Sequence, residues 1–252
     1  MLSARTYYRI HRAFVPLIRA YRKWRPMPRS PEPSTEEERH SLTLVPSTQL
    51  TTRMVEVLTY LRDHSSSEIG NYAEFGVYNG TSMICMYDAM TKLALSQPKL
   101  IGFDSFLGLP LDVGDEDGGV WRPGQFTCPI EKTLENLAGR HVPIERVDLI
   151  AGWYKDTLED PKSRIAVGTV SVVMIDSDAY SSANLALSFV GPLLADVSAI
   201  MFDDWKLNDL DIKNLGEYRA FSEFLDANPN FDVIAQRGYN RKSKIFILRR
   251  KF

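Results

Sequence analysis

The chain has 252 residues, 44% of them hydrophobic, and a formal net charge of −2. That length fits one large α/β domain, or one domain with a small appendage, and the near-neutral balance excludes bulk attraction to nucleic acid. Two cysteines far apart, Cys85 and Cys128, speak against a disulfide scaffold and a paired-cysteine metal site, so a reducing, cytoplasmic setting is expected. No stretch reaches the roughly 20 apolar residues of a membrane span.

Residues 1–25 carry Arg5, Arg9, Arg12, Arg19, Arg22, Lys23 and Arg25 and no acid, interleaved with Tyr7, Ile10, Phe14, Leu17, Ile18, Tyr21 and Trp24. The spacing marks one face of a basic amphipathic helix. Such an arm packs on the domain or on a second copy of the chain, making a homo-oligomer, or it lies on an anionic membrane surface; an organelle-targeting peptide is a weaker option. Residues 26–50 open with a run of prolines and read as a linker. The domain proper is expected over 51–252.

That domain begins with a helix at about Thr51–Asp63, with Met54, Val55, Leu58 and Leu61 on one face. Strand and helix then alternate. Strands are expected at Tyr72–Val77, Leu100–Phe103, Val147–Ile150, Val170–Ile175 and Ala199–Phe202. Helices are expected at Thr81–Leu95, Glu131–Leu137, Ser182–Leu194 and Glu217–Leu225. Two closing strands, Phe231–Ala235 and Ile245–Leu248, flank Arg237-Gly238-Tyr239-Asn240 as a hairpin. The alternation predicts an α/β fold with a Rossmann-like doubly wound sheet, mostly parallel, closed by one antiparallel strand. Ligands of such sheets bind outside the carboxyl ends of the strands, near the point where strand order reverses.

The unusual residues gather at those ends. The first strand runs into Glu74-Phe75-Gly76-Val77-Tyr78-Asn79-Gly80-Thr81-Ser82. Gly76 and Gly80 permit a tight turn before a helix whose free N–H groups suit a carboxylate or phosphate, although a purely structural turn would read the same. Asp104, at the tip of the second strand, stands where a ribose diol is held in doubly wound folds, or else caps its own turn. The fourth strand ends in Asp176-Ser177-Asp178 and the fifth in Asp203-Asp204. Four carboxylates on neighbouring strands repel one another unless a hard cation lies among them, and oxygen ligands without His or Cys point to Mg²⁺, Mn²⁺ or Ca²⁺. Helix capping is the plain alternative. His11, His40, His64 and His141 all fall outside these motifs, which leaves a His-based hydrolase unsupported. Between Leu111 and Phe126 the chain carries Asp112, Asp115, Glu116 and Asp117. This is either a solvated acidic loop or a lid over the strand-end site.

Taken together, these motifs resemble the macrocin O-methyltransferase family, from about Met54 to the end of the chain. The likeness rests on the Glu74–Ser82 turn, on Phe103-Asp104-Ser105-Phe106-Leu107-Gly108-Leu109-Pro110, on Gly152-Trp153-Tyr154-Lys155-Asp156-Thr157-Leu158, and on the spacing of Asp176-Ser177-Asp178-Ala179-Tyr180 to Asp203-Asp204. It implies a class I methyltransferase fold, S-adenosylmethionine as methyl donor, Mg²⁺ or another divalent cation, and a sugar or other glycan acceptor on a small molecule. By residue, the resemblance gives the cofactor Glu74, Gly76, Gly80, Thr81, Ser82, Asp104, Ser105, Gly152 and Trp153. It gives the metal Asp176, Asp203 and Asp204 and places the family's proposed base at Asp176; the carboxylate cluster itself leaves Asp178 as a second candidate for the proton. Ala179 departs from the family's larger apolar residue, and Leu194-Ala195-Asp196-Val197-Ser198 lacks its usual Gly-Gly turn. Two other functions fit parts of the pattern. One is a metal-dependent glycosyltransferase using Asp176-Ser177-Asp178, and the other a non-catalytic binding protein on the same fold.

Overall fold

The computed structural model describes residues 46–111, 113 and 116–251. The amphipathic arm of residues 1–25 and most of the linker lie outside the described residues, as do Asp112 and Asp115. No described helix is long and apolar enough to cross a membrane.

Seven strands form one sheet in the order β3-β2-β1-β4-β5-β7-β6. They are β1 (Asn71–Phe75), β2 (Leu100–Asp104), β3 (Val147–Ala151), β4 (Val170–Ile175), β5 (Leu194–Phe202), β6 (Phe231–Arg237) and β7 (Lys244–Arg250). The first five are parallel, while β7 runs antiparallel to both β5 and β6. The expected doubly wound sheet with its closing hairpin is therefore present. Strand order reverses between β1 and β4.

Alternation along each strand divides the core in two. Tyr72, Leu100, Val172, Met174, Ala199 and Met201 face helices α1 (Ser47–His64) and α2 (Thr81–Lys92). Ala73, Phe75, Ile101, Phe103, Val173, Ile175, Ile200 and Phe202 face α6 (Tyr180–Val190) and α8 (Gly216–Ala227), with Phe189, Phe221 and Phe224 among them. Every residue of β4 is buried, as expected for a strand covered on both faces. α1 begins at Ser47, inside the stretch read as linker, because Leu50 adds a further buried turn to the stripe Met54, Val57, Leu58 and Leu61. Val55 sits at the margin of that stripe.

The remaining helices are α3 (Ile130–Gly139), α4 (Tyr154–Thr157), α5 (Pro161–Val167) and α7 (Leu210–Lys213). The expected helix to Leu194 stops at Val190. Pro192 breaks it into a short 3-10 turn, and Gly191 comes so close to α8 that a Cβ there would lie 2.7 Å from the Phe224 ring. β5 accordingly starts at Leu194, five residues early. Where the Gly-Gly turn was missing the chain is strand, and Asp196 accepts from the Ser65 hydroxyl (2.7 Å) and from Ser66 N and Oγ (2.9 and 2.6 Å), tying the end of α1 to β5.

Candidate active site

Register brings the strand tips together. Phe75 pairs with Phe103 and Ile175, Ile175 with Phe202, and Asp104 with Ala151. The next residues in each strand, Gly76, Asp176, Asp203 and Gly152, therefore stand along one edge. Their tips open into a cavity of about 740 Å³ at the β1/β4 reversal.

One half of the cavity is built by β1–β3. Gly76 (φ 95°) lies so close to β4 that a Cβ would fall 1.7 Å from the Asp176 carbonyl oxygen. Tyr78 follows with φ 49°, an unusual conformation for a bulky residue. It is held there because its N–H donates to Asp104 Oδ2 (2.7 Å) and its carbonyl accepts from Thr133 Oγ1 (2.5 Å). Asp104 also accepts from Val77 N (2.8 Å) and Phe106 N (2.6 Å), so it locks the glycine turn to the end of β2. Burial raises its pKa against those three N–H groups. The turn-capping reading of Asp104 is thus realised, and the same carboxylate lines the cavity beside Ser105, Gly152 and Trp153.

Four of the expected cofactor residues do not line the cavity. Glu74 is wholly buried beneath the turn, accepting from the Ser82 hydroxyl and from Tyr72 OH (2.8 Å), and burial pushes its pKa up to about 8. Gly80 packs against Thr133 and Leu137, and Thr81 bonds Asn79 Oδ1 (N 3.2 Å, Oγ1 2.7 Å). These residues shape the turn from below.

The other half gathers the carboxylates. One oxygen each from Asp176, Asp178 and Asp204 lie within 4.8 Å of one another, a spacing that suits a metal ion. Asp203, which the resemblance placed in the ligand set, also lines the cavity but is not one of these three. Its oxygens accept from Tyr239 OH and from Lys242 Nζ (2.7 Å), and Lys242 also reaches Asp204 Oδ1 (2.8 Å). Burial, then mutual repulsion, raises the pKa values of Asp176, Asp178 and Asp204. Burial works to lower that of Lys242, and the facing Asp204 and Asp203 more than reverse it. One lysine faces four carboxylates in a sheltered place, more acids than it can neutralise if all are ionised. This donor set fits a hard divalent cation.

Three site residues were missed from the sequence. Tyr239 and Lys242 come from the β6–β7 hairpin, where a six-residue turn aims them back at β5. Glu217, at the start of α8, is fully buried and accepts from Asp204 N (3.0 Å), while its other oxygen has no partner. No motif marked them. The only signal was the hairpin's basic tip and a lone acid opening an amphipathic helix.

The roof is the loop after β2. Leu109 N donates to Gln125 O and Gly124 N to Leu109 O (both 2.9 Å), closing its base. Leu109, Val113 and Trp121 form a small buried apolar cluster with Ala179, whose small side chain sits alongside the large indole. One of the loop's acids is not solvated: Asp117 is fully buried, and Glu116 beside it is half-buried.

The Macrocin-O-methyltransferase (TylF) family model matches residues 6–236. The chain belongs to this family. Curated relatives include the 8-demethyl-8-(2,3-dimethoxy-alpha-L-rhamnosyl)-tetracenomycin-C 4'-O-methyltransferase of Streptomyces olivaceus, 27% identical over 146 residues, 55% of this chain. The demethyldecarbamoylnovobiocin O-methyltransferase of Streptomyces niveus is 27% identical over 165 residues, 62% of this chain. The matches span 54% and 61% of those relatives' own lengths. Among solved structures, the O-methyltransferase NovP superposes with a TM-score of 0.64 at 19% identity, covering 81% of this chain and 80% of that one, which establishes a shared fold. Tyr239 and Lys242 fall beyond the family match.

Proposed function

We propose that this macrocin-family chain is an S-adenosylmethionine-dependent O-methyltransferase acting on a hydroxyl of a sugar or glycosylated natural product. The observation that carries the reading is a single cavity with a glycine turn and ribose-type Asp104 at one end and the carboxylate cluster at the other. Family membership and the sugar-modifying tetracenomycin relative support the acceptor class.

In this scheme the methionine carboxylate of the donor lies at the Gly76–Tyr78 turn, which the close packing of Gly76 on the Asp176 backbone holds in place. Asp104 and Ser105 take the ribose hydroxyls, and Gly152 and Trp153 flank the adenine. Glu74, Gly80, Thr81 and Ser82 act on the donor through the turn they brace. A divalent cation, Mg²⁺ by preference, would be held by Asp176, Asp178 and Asp204, and when bound it supplies a positive field that favours the ionised acceptor hydroxyl. Asp203 lies beside that set, bonded to Tyr239 and Lys242. Asp178 or Asp176, both lining the cavity, accepts the hydroxyl proton. The oxygen lone pair forms the new O–CH₃ bond as the CH₃–S⁺ bond breaks, leaving S-adenosylhomocysteine. The loop roof excludes water, and the walls supply position and a prearranged field.

Calorimetric titration of metal-stripped protein with S-adenosylhomocysteine, with and without Mg²⁺, tests the reading. Micromolar binding is expected, followed by Mg²⁺-dependent methylation in a glycoside screen. No binding in either sample, with uridine diphosphate raising the melting point instead, would replace the methyltransferase reading by the glycosyltransferase one.

A further inference from the structure

Helices α6 and α8 carry the two halves of the carboxylate cluster at their entrances. α6 starts at Tyr180, two residues after Asp178. α8 starts at Gly216, next to Glu217, which holds Asp204 N. Neither helix has a cap of its own. Its flanking residues, Ala179 and Leu215, have no side-chain oxygen with which to accept the free N–H groups of the first turn.

The loop after β2 supplies the missing acceptors. Asp117 Oδ2 accepts from Tyr180 N (2.9 Å) and its Oδ1 from Gly216 N (2.9 Å), while Glu116 Oε1 accepts from Ser181 N (3.0 Å). One fully buried carboxylate thus bridges two helix N-termini whose partial positive charge favours it. Gly118 and Gly119 (φ 69° and 76°), both exposed, turn the chain directly after the buried Asp117, with open space at Gly119.

This bridge opposes a specific force. Asp176 and Asp178 on one segment and Asp203 and Asp204 on the other repel each other at close range, and the β4–β5 backbone pairing that joins the two segments runs out at the strand tips, where Asp203 N donates to Ile175 O (3.1 Å). We propose that Asp117 is a positioning residue for the reaction. By clasping the N-termini of α6 and α8 it holds the 176–180 and 203–217 segments at the separation the carboxylate cluster needs. Burial raises the Asp117 pKa, and Glu116 adds to the rise, whereas the Tyr180 and Gly216 N–H groups and Arg219 hold it down. The role rests on the proposed metal-assisted methyl transfer, since it is that chemistry which needs the cluster assembled.

The test uses the full chain with Asp117→Ala and Asp117→Asn. Hydrogen exchange is followed at the amides of 180–183 and 216–220, Mn²⁺ binding by electron paramagnetic resonance, S-adenosylhomocysteine binding by calorimetry, and turnover as a KM-against-kcat split. In D117A the two helix entrances should exchange about tenfold faster. Mn²⁺ affinity and kcat should each fall about tenfold, with donor affinity within about threefold of wild type. D117N, which keeps one acceptor oxygen, should fall between the two, and it carries the test should D117A fail to fold. Unchanged exchange at both entrances would overturn the proposal. So would faster exchange with Mn²⁺ affinity and kcat intact, because Asp117 would then be a cap and nothing more. Wild-type protein that binds neither donor product nor Mn²⁺ would instead sink the methyltransferase reading, and the exchange data would still decide whether the clasp exists.

Discussion

Glu74→Gln isolates a proton that the fold keeps and the unfolded chain releases. Glu74 is wholly buried and its pKa stands at about 8 against an ordinary 4.5. Between those two values the folded state binds a proton that the unfolded state has lost. Stability must therefore fall as pH rises through this window, by about 1.4 kcal/mol per pH unit and on the order of 5 kcal/mol across it. The ionised carboxylate accepts from both Ser82 Oγ and Tyr72 OH; once protonated, Glu74 still accepts from Tyr72 OH and donates to Ser82 Oγ, whose hydroxyl turns to receive it. Glutamine reproduces both bonds, donating through its amide and accepting through its carbonyl, and carries nothing to titrate. Thermal melts of both proteins at about pH 5.5 and about pH 7.5 read the effect. The variant's melting point should gain roughly 5–10 °C on the wild type between the two conditions, from a relative 2–3 kcal/mol. The comparison between proteins cancels the other titrating carboxylates. Since Glu74 does not line the cavity, donor affinity at the lower pH should match wild type within about twofold. A melting-point difference that stays constant with pH would refute the buried proton.

Two further expectations follow from the same strand tips. Gly76→Ala puts a Cβ 1.7 Å from the Asp176 carbonyl oxygen at a φ of 95°, and backbone cannot step aside. It should cost more than about 4 kcal/mol or prevent folding, and a circular-dichroism melt within about 3 °C of wild type would count against the packing of β1 on β4. Lys242→Met leaves Asp203 and Asp204 facing each other without a cation. Losing a partner of a buried pair costs about 3–5 kcal/mol, and with Lys242 39% exposed roughly 1–3 is expected. Mg²⁺ should then raise the variant's melting point more than the wild type's; equal shifts would mean that lysine and metal do not compete for the same charge.

Much of this architecture was written in local pattern. The all-buried run Val170–Ile175 and the glycine turn after Phe75 follow from periodicity and turn chemistry, and register alone then aligns Gly76, Asp104, Asp176 and Asp203. What was not legible is non-local. Asp104 reads equally as ribose ligand or turn cap, and its bonds to Val77 and Tyr78 span more than 25 residues of chain. Asp203 looked like its neighbour Asp204 until Tyr239 and Lys242 arrived from the closing hairpin. Asp117 was one acid among several in a loop, because the helices it caps begin 63 and 99 residues further on. The boundary at Leu194 was missed for a simpler reason: the apolar pattern of 182–194 continues through Pro192, and the proline overrode it.

The hairpin's contribution bears on how members of this family can be recombined. Asp203 and Asp204 belong to the fifth strand, but their counter-charge and the hydroxyl that orients Asp203 are carried on the turn between the last two strands. A chimaera joined anywhere between Asp204 and Tyr239 would take its acids from one parent and their neutralising partner from another. Grafting acceptor loops between relatives therefore has a natural unit, which runs from the fifth strand through the last and is inherited whole.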